Sequence, residues 1–169
     1  MTLAELNVLP HYRAEEELLK CCGSLAWARG MAQRRPFASL DQLKQTGVEI
    51  WWRLDPADWM DAFGAHPQIG QRQSTAHATS AHAQAWSEQE QSGMAGAGVG
   101  VTTDLEEANQ EYLKKFGYIF IVCASGKSAE EMLALLRSRS ENSPKQEIRV
   151  AAEEQGKITR LRLEKLLSP

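Results

Sequence analysis

Apolar residues recur at spacings of three and four along most of this chain, and strict alternation is nearly absent. From Tyr12 to about Ala32 the positions Leu18, Leu19, Cys22, Leu25 and Ala26 keep the helical period, predicting one long helix that Arg34-Arg35-Pro36-Phe37 breaks. Ser39-Leu40-Asp41-Gln42 opens a second helix, which Gly47 is expected to close. Asp55-Pro56-Ala57-Asp58 starts a third, with an Asp cap, proline at the first helical position and another acid in the first turn. That helix carries Trp59, Met60 and Phe63. Thr103-Asp104-Leu105-Glu106 reads as a capping box for a helix through Tyr112 to Phe116, closed by Gly117. Ser128-Ala129-Glu130-Glu131 is another, for a helix to about Ser140, and Ser143-Pro144 begins the last and longest helix, reaching Leu167.

Three stretches depart from this pattern. Gln71 to Ala85 is rich in Gln, Ala, Ser, Thr and His and is expected to be a loop, although its alanines permit some helix. Gly93 to Gly100 is a glycine-rich break. Tyr118-Ile119-Phe120-Ile121-Val122-Cys123 alone reads as a buried strand, but a single strand has no partner for its backbone. A buried helical turn or an extended core segment is the better expectation. The prediction is an all-α protein, a single-domain irregular helical bundle without internal repeats.

Composition narrows the class. Hydrophobic residues make up 43% of the 169 and charged residues 24%, as in ordinary globular proteins. The formal charge of −3 offers no basic footprint for nucleic acid, and no apolar run approaches the roughly 20 residues of a membrane span. The first residues lack the basic-then-apolar pattern of a signal peptide, and Leu167-Ser168-Pro169 is not a peroxisomal ending. The three cysteines, Cys21, Cys22 and Cys123, are expected to be reduced thiols of a cytoplasmic protein. No metal site is expected: His77 and His82 are badly spaced for one helical face, and there is no Cys-x-x-Cys.

The most informative stretch is Phe63-Gly64-Ala65-His66-Pro67-Gln68-Ile69-Gly70. Pro67 disfavours the α conformation at His66, so the helix through Trp59 and Phe63 should stop near Gly64 or Ala65. His66 then stands on an extended corner at a rigid helix end, and imidazole is the side chain best suited to move protons near neutral pH. His11, His77 and His82 have no such context and are read as surface residues. Gly126-Lys127-Ser128 resembles the end of a phosphate loop, but Ile121 stands where the first glycine belongs, and a helix cap is preferred. Gly96-Ala97-Gly98-Val99-Gly100 lacks the spacing and the preceding strand of a dinucleotide loop.

Ser87-Glu88-Gln89-Glu90 has two readings. One is a capping box; the other is a hydroxyl and a carboxylate on one helical face, gripping a polar ligand. Arg162 falls in the apolar stripe of the last helix, four after Ile158 and four before Leu166, whereas Arg160 lies on a wetter face. An arginine in such a stripe wants an anionic partner, within the protein or on a ligand.

Taken together, these residues resemble the 2-oxo-4-hydroxy-4-carboxy-5-ureidoimidazoline (OHCU) decarboxylases of urate degradation. The resemblance runs through Arg35-Pro36-Phe37, Ala65-His66-Pro67-Gln68-Ile69-Gly70, Ser87-x-x-Glu90-Gln91-Ser92-Gly93, Tyr112-x-x-x-Phe116-Gly117-Tyr118-Ile119-Phe120-Ile121-Val122 and Ile158-x-x-Leu161-Arg162-Leu163. It implies one all-α domain over 1–169 that is a cofactor-free carboxy-lyase, usually a homodimer, acting on a small molecule and yielding (S)-allantoin. By that pattern His66 is the catalytic acid/base; Glu90 is expected to share the catalytic work by holding polar N–H groups of the substrate and orienting His66. Pro67, Ser87, Glu88, Gln89, Glu90 and Gln91 line the substrate site, as do Phe120, Ile121, Val122, Cys123 and Ala124, partly through backbone groups. Arg162 matches the family's late arginine. Two other classes compete: a non-catalytic helical binding module, and a nucleotide-binding protein.

Overall fold

The computed structural model describes residues 1–70 and 81–168. The helices are α1 (Leu3–Val8), α2 (His11–Cys21), α3 (Leu25–Gln33), α4 (Leu40–Trp51), α5 (Pro56–Gly64), α6 (Ala81–Glu90), α7 (Val99–Phe116), α8 (Ala129–Ser140) and α9 (Pro144–Leu166), with a 3-10 turn at Ser92–Met94. Among the described residues there is no strand, so the all-α expectation holds. Packing resolves into two compact units, Met1–Ala62 with Gly156–Pro169, and Phe63–Gln155.

The first unit has a tryptophan core. Trp27 is fully buried, and its indole N–H donates to the Gly47 carbonyl at 2.9 Å. Gly47 therefore does not end its helix, as expected from sequence; α4 continues to Trp51. A Cβ at Gly47 would lie 3.2 Å from the Trp27 ring, so close approach explains the glycine. Trp59 donates to the Trp51 carbonyl at 3.0 Å, with ring centroids 5.9 Å apart.

The expected helix from Tyr12 to Ala32 is two helices. Cys22 is extended, and Ser24 caps α3 by accepting from the Trp27 amide at 3.3 Å. The buried residues are Ala14, Leu18 and Cys21 of α2 and Trp27, Ala28, Met31 and Ala32 of α3, which keep helical spacing within each helix, whereas Leu19 and Leu25 of the expected stripe are exposed. The short α1 has its own capping box, Thr2 with Glu5. Arg35 explains the Arg-Pro-Phe motif: its guanidinium donates to the carbonyls of Leu6 and Leu9 at 2.6 and 2.8 Å, closing the end of α1. The Asn7 side chain both donates to and accepts from the Phe37 backbone.

The second unit differs from expectation at two helix starts. The 71–85 loop is overturned at its end: residues from Ala81 are helical, as the alanines permitted, while 71–80, with His77, lie outside the described residues. Helix α7 begins at Val99 behind a Gly98 cap. Thr103 is thus inside the helix, donating to the Val99 carbonyl at 3.0 Å, and its capping box does not form. The other end is as expected, with Gly117 left-handed at φ 81° and donating to Leu113. Ser128 caps α8 in a complete capping box with Glu131.

Residues 119–124 form neither helix nor strand and, with Tyr118, make a largely buried core segment rather than a buried helical turn. Side chains hold three of its backbone groups. Arg139 donates to the Ile121 carbonyl at 2.6 Å, the Cys123 amide donates to Glu154 at 2.7 Å, and Lys127 donates to the Cys123 carbonyl at 2.7 Å. Arg139 is itself held by the fully buried Glu147 (Nε to Oε1, 2.8 Å) and lies 4.5 Å from the centre of the Phe120 ring. Tyr112 and Asn142 also donate to Glu147.

Candidate active site

The site grows from the end of α5. Phe63, three residues before the histidine, is fully buried and packs on Tyr118, ring centroids 5.3 Å apart, which anchors the last turn of the helix. The helix stops at Gly64, where the proline rule placed it, and the His66 amide donates back to Phe63 at 3.2 Å. Beyond Pro67 the chain is pinned again. Asn109 donates to the Ile69 carbonyl at 3.2 Å, and the Gly70 amide donates to the Gln91 side chain at 3.1 Å. The histidine corner is therefore rigid at both ends.

The imidazole is half-buried. Its Nε2 lies 2.7 Å from Oε1 of Gln155, a side chain with 0% exposure on α9. Sequence reasoning missed Gln155. The signal was present: Ala151, Ala152, Gln155, Ile158, Thr159, Arg162 and Leu163 are the buried stripe of α9, and a polar residue in that stripe needs a partner. The logic that separated Arg162 from Arg160 applies equally there.

Ser87 and Glu90 are both buried on one face of α6 with Ala83, while Glu88 and Gln89 are exposed. The capping box is corrected: Ser87 is inside the helix and its hydroxyl donates to the Ala83 carbonyl at 3.0 Å. The shared-face reading describes the geometry. Glu90 ends α6, at the negative end of the helix dipole, so neither capping nor dipole favours a carboxylate there.

Phe120, Ile121, Val122, Cys123 and Ala124 are all buried. The Cys123 thiol is pushed above its usual range, first by burial and then by the charge of Glu154, with Glu90 adding to the same direction. Those couplings gather Glu90, Cys123 and Glu154 in one region of the second unit, and Glu154 precedes Gln155 in sequence. Lys127 is engaged with Cys123 and Ser128 with α8, as the cap reading of Gly126-Lys127-Ser128 requires. Arg162, on the first unit's part of α9, is 4% exposed, and its charge acts on the thiols of Cys21 and Cys22. All three cysteines are free and buried. Among the described residues no cluster of His, Cys, Asp or Glu has the make-up of a metal site, and no helix is long and apolar enough to cross a membrane.

Comparison with known proteins places this architecture. The OHCU decarboxylase family model matches residues 7–164. The uric acid degradation bifunctional protein TTL of Arabidopsis thaliana is 41% identical over 155 residues, covering 91% of this chain, which spans 47% of that protein's length. The 2-oxo-4-hydroxy-4-carboxy-5-ureidoimidazoline decarboxylase of Amia calva is 32% identical over 133 residues, 79% of this chain and 75% of that one. A crystal structure of OHCU decarboxylase in the presence of (S)-allantoin superposes with a TM-score of 0.79 at 39% identity, covering 91% of this chain and 99% of that chain. An (S)-allantoin synthase shares the fold, with a TM-score of 0.74 at 19% identity over 99% of this chain and 54% of that one. The chain belongs to the OHCU decarboxylase family.

Proposed function

We propose that this chain decarboxylates OHCU to (S)-allantoin in urate breakdown, without a cofactor, using His66 as acid and base. The observation that carries the reading is the imidazole itself: projected from a proline corner pinned on both sides, and held 2.7 Å from a buried amide.

The substrate's chemistry explains why so little machinery suffices. The ring carbon that loses carbon dioxide carries a hydroxyl, and its neighbour is doubly bonded to nitrogen. Electrons of the breaking C–C bond form a double bond between these carbons, and the nitrogen takes up charge and a proton. The enediol-like product then loses its hydroxyl proton and gains one at the neighbouring carbon, on one face. The substrate is thus its own electron sink, a role that cofactors otherwise fill. The protein's tasks are to orient the carboxylate, move protons and present one face.

His66 takes the hydroxyl proton or delivers one to carbon. Glu90, buried at the end of α6 on the face it shares with Ser87, holds the polar N–H groups of the ring or ureido arm. Ser87 and backbone groups near Ile121 fix the ring. A cytoplasmic homodimer belongs to the same reading.

The test is to supply freshly generated OHCU and follow optically active allantoin by circular dichroism. Decay faster than the spontaneous reaction, with the (S) sign, is expected. His66→Asn should lose about 10²–10⁴-fold in rate with its fold intact. Signal no faster than the uncatalysed reaction would favour a binding module, and full turnover by folded His66→Asn would remove the histidine from the mechanism.

A further inference from the structure

We infer that Gln155 is a positioning residue for His66. Its side-chain carbonyl keeps the imidazole proton on Nε2, so that Nδ1 is the nitrogen that takes up and returns the substrate's proton. The consequence for turnover rests on the decarboxylase reading; the ring assignment does not.

Three observations carry this. First, Gln155 Oε1 and His66 Nε2 are 2.7 Å apart, and a carbonyl oxygen can only accept, so the ring nitrogen facing it donates. Second, Gln155 is fully buried in the stripe of α9, a position where an amide is retained only if its polar atoms find partners. Third, the residue before it, Glu154, accepts the Cys123 amide at 2.7 Å. Adjacent positions of one helix thus set both the histidine ring and the buried segment expected to face the substrate.

The choice of an amide has chemical sense. A carboxylate on Nε2 would favour the imidazolium and hinder release of its proton. A neutral acceptor fixes which nitrogen carries the proton without fixing the charge, as suits a group that must work in both directions.

The test uses protein labelled with ¹⁵N-histidine and long-range ¹H–¹⁵N correlation of the His66 ring, alongside kinetics. In the unaltered protein at alkaline pH, Nε2 should show the protonated-type shift and Nδ1 the unprotonated type. Gln155→Leu should average the two and lower kcat by about 10²-fold, as loss of orientation does, while KM changes little. Gln155→Glu retains an acceptor and should restore the Nε2–H pattern and part of kcat. A ring protonated at Nδ1 in the unaltered protein overturns the inference, as does a folded Gln155→Leu with unchanged shifts and kcat. Should the Leu variant fail to fold, the unaltered spectrum and the Glu variant decide. Absence of turnover in the unaltered protein would instead sink the decarboxylase reading, and the ¹⁵N shifts would still decide the ring assignment.

Discussion

The two packing units satisfy their buried backbone in different ways. In the first, the polar main chain is consumed by helices, and the breaks are covered locally, by Thr2 on α1, Ser24 on α3 and Ser39 on α4. In the second, residues 119–124 are neither helix nor strand, no strand pairs with them among the described residues, and charged side chains of α8 and α9 hold the Ile121 carbonyl and the Cys123 amide. Helical backbone leaves few polar groups for a ligand. A non-helical segment fastened at selected atoms keeps a buried surface polar and rigid together, as the proposed site for a small polar ring requires.

The sharpest way to break this contrast is Glu147→Leu. Glu147 neutralises Arg139, which in turn fixes the Ile121 carbonyl. Removing one partner leaves a cation buried without its counter-charge, and breaking such pairs costs about 3–5 kcal/mol. Urea unfolding should show that loss. A loss below about 1 kcal/mol would mean that solvent reaches Arg139 and that the segment is not held as described.

Gly93→Ala comes next. A Cβ there would stand 1.9 Å from the Lys127 carbonyl oxygen, so the backbone itself must move. Overpacking of this kind costs about 1–3 kcal/mol. Because Lys127 also grips Cys123, the proposed activity should fall more than stability does. Equal, small changes in both would detach the 92–94 turn from the site.

These residues also show where sequence was readable. Local signals spoke plainly at Pro67, at Gly117 and at Ser128, where the conformation is dictated by the residue or its neighbour. They failed where the cause was distant. Gly47 is set by Trp27, twenty residues earlier, and the start of α6 was masked by polar composition. The site divided likewise. The His66 corner could be read because proline acts on its neighbour, whereas the role proposed for Gln155 depends on a contact with a histidine 89 positions away. Arg139 and Glu147 carried no short motif at all.

The buried thiols sharpen the comparison at alkaline pH. Burial pushes Cys22, in the first unit, from 9.0 up to about 11, and Cys21 and Cys123 shift in the same direction. An acid with a raised folded pKa stays protonated in the native state while the unfolded chain ionises. Its stabilisation is complete below about pH 9 and is lost as pH rises toward about 11. Tm should therefore fall across that window, and Cys22→Ala should flatten the fall relative to its own neutral value. An unchanged slope would assign the alkaline loss to other groups, Tyr118 among them, whose hydroxyl burial lifts to about 12.

The smallest effects should come from the caps, and here the two units can be compared on one chemistry. Ser24 is fully buried, so Ser24→Ala leaves the Trp27 amide without a hydroxyl and with no ready access to water. Ser128 is half-exposed, and its own amide still donates to Glu131 at 2.7 Å after the hydroxyl is gone. Cap deletions span about 0.5–2 kcal/mol, with Ser24→Ala expected near the top and Ser128→Ala near the bottom. The measurement is the difference between the two unfolding midpoints at constant m. A reversed order would show that burial does not set the value of a cap in this protein, and that the 3.3 Å bond from the Trp27 amide is too long to matter.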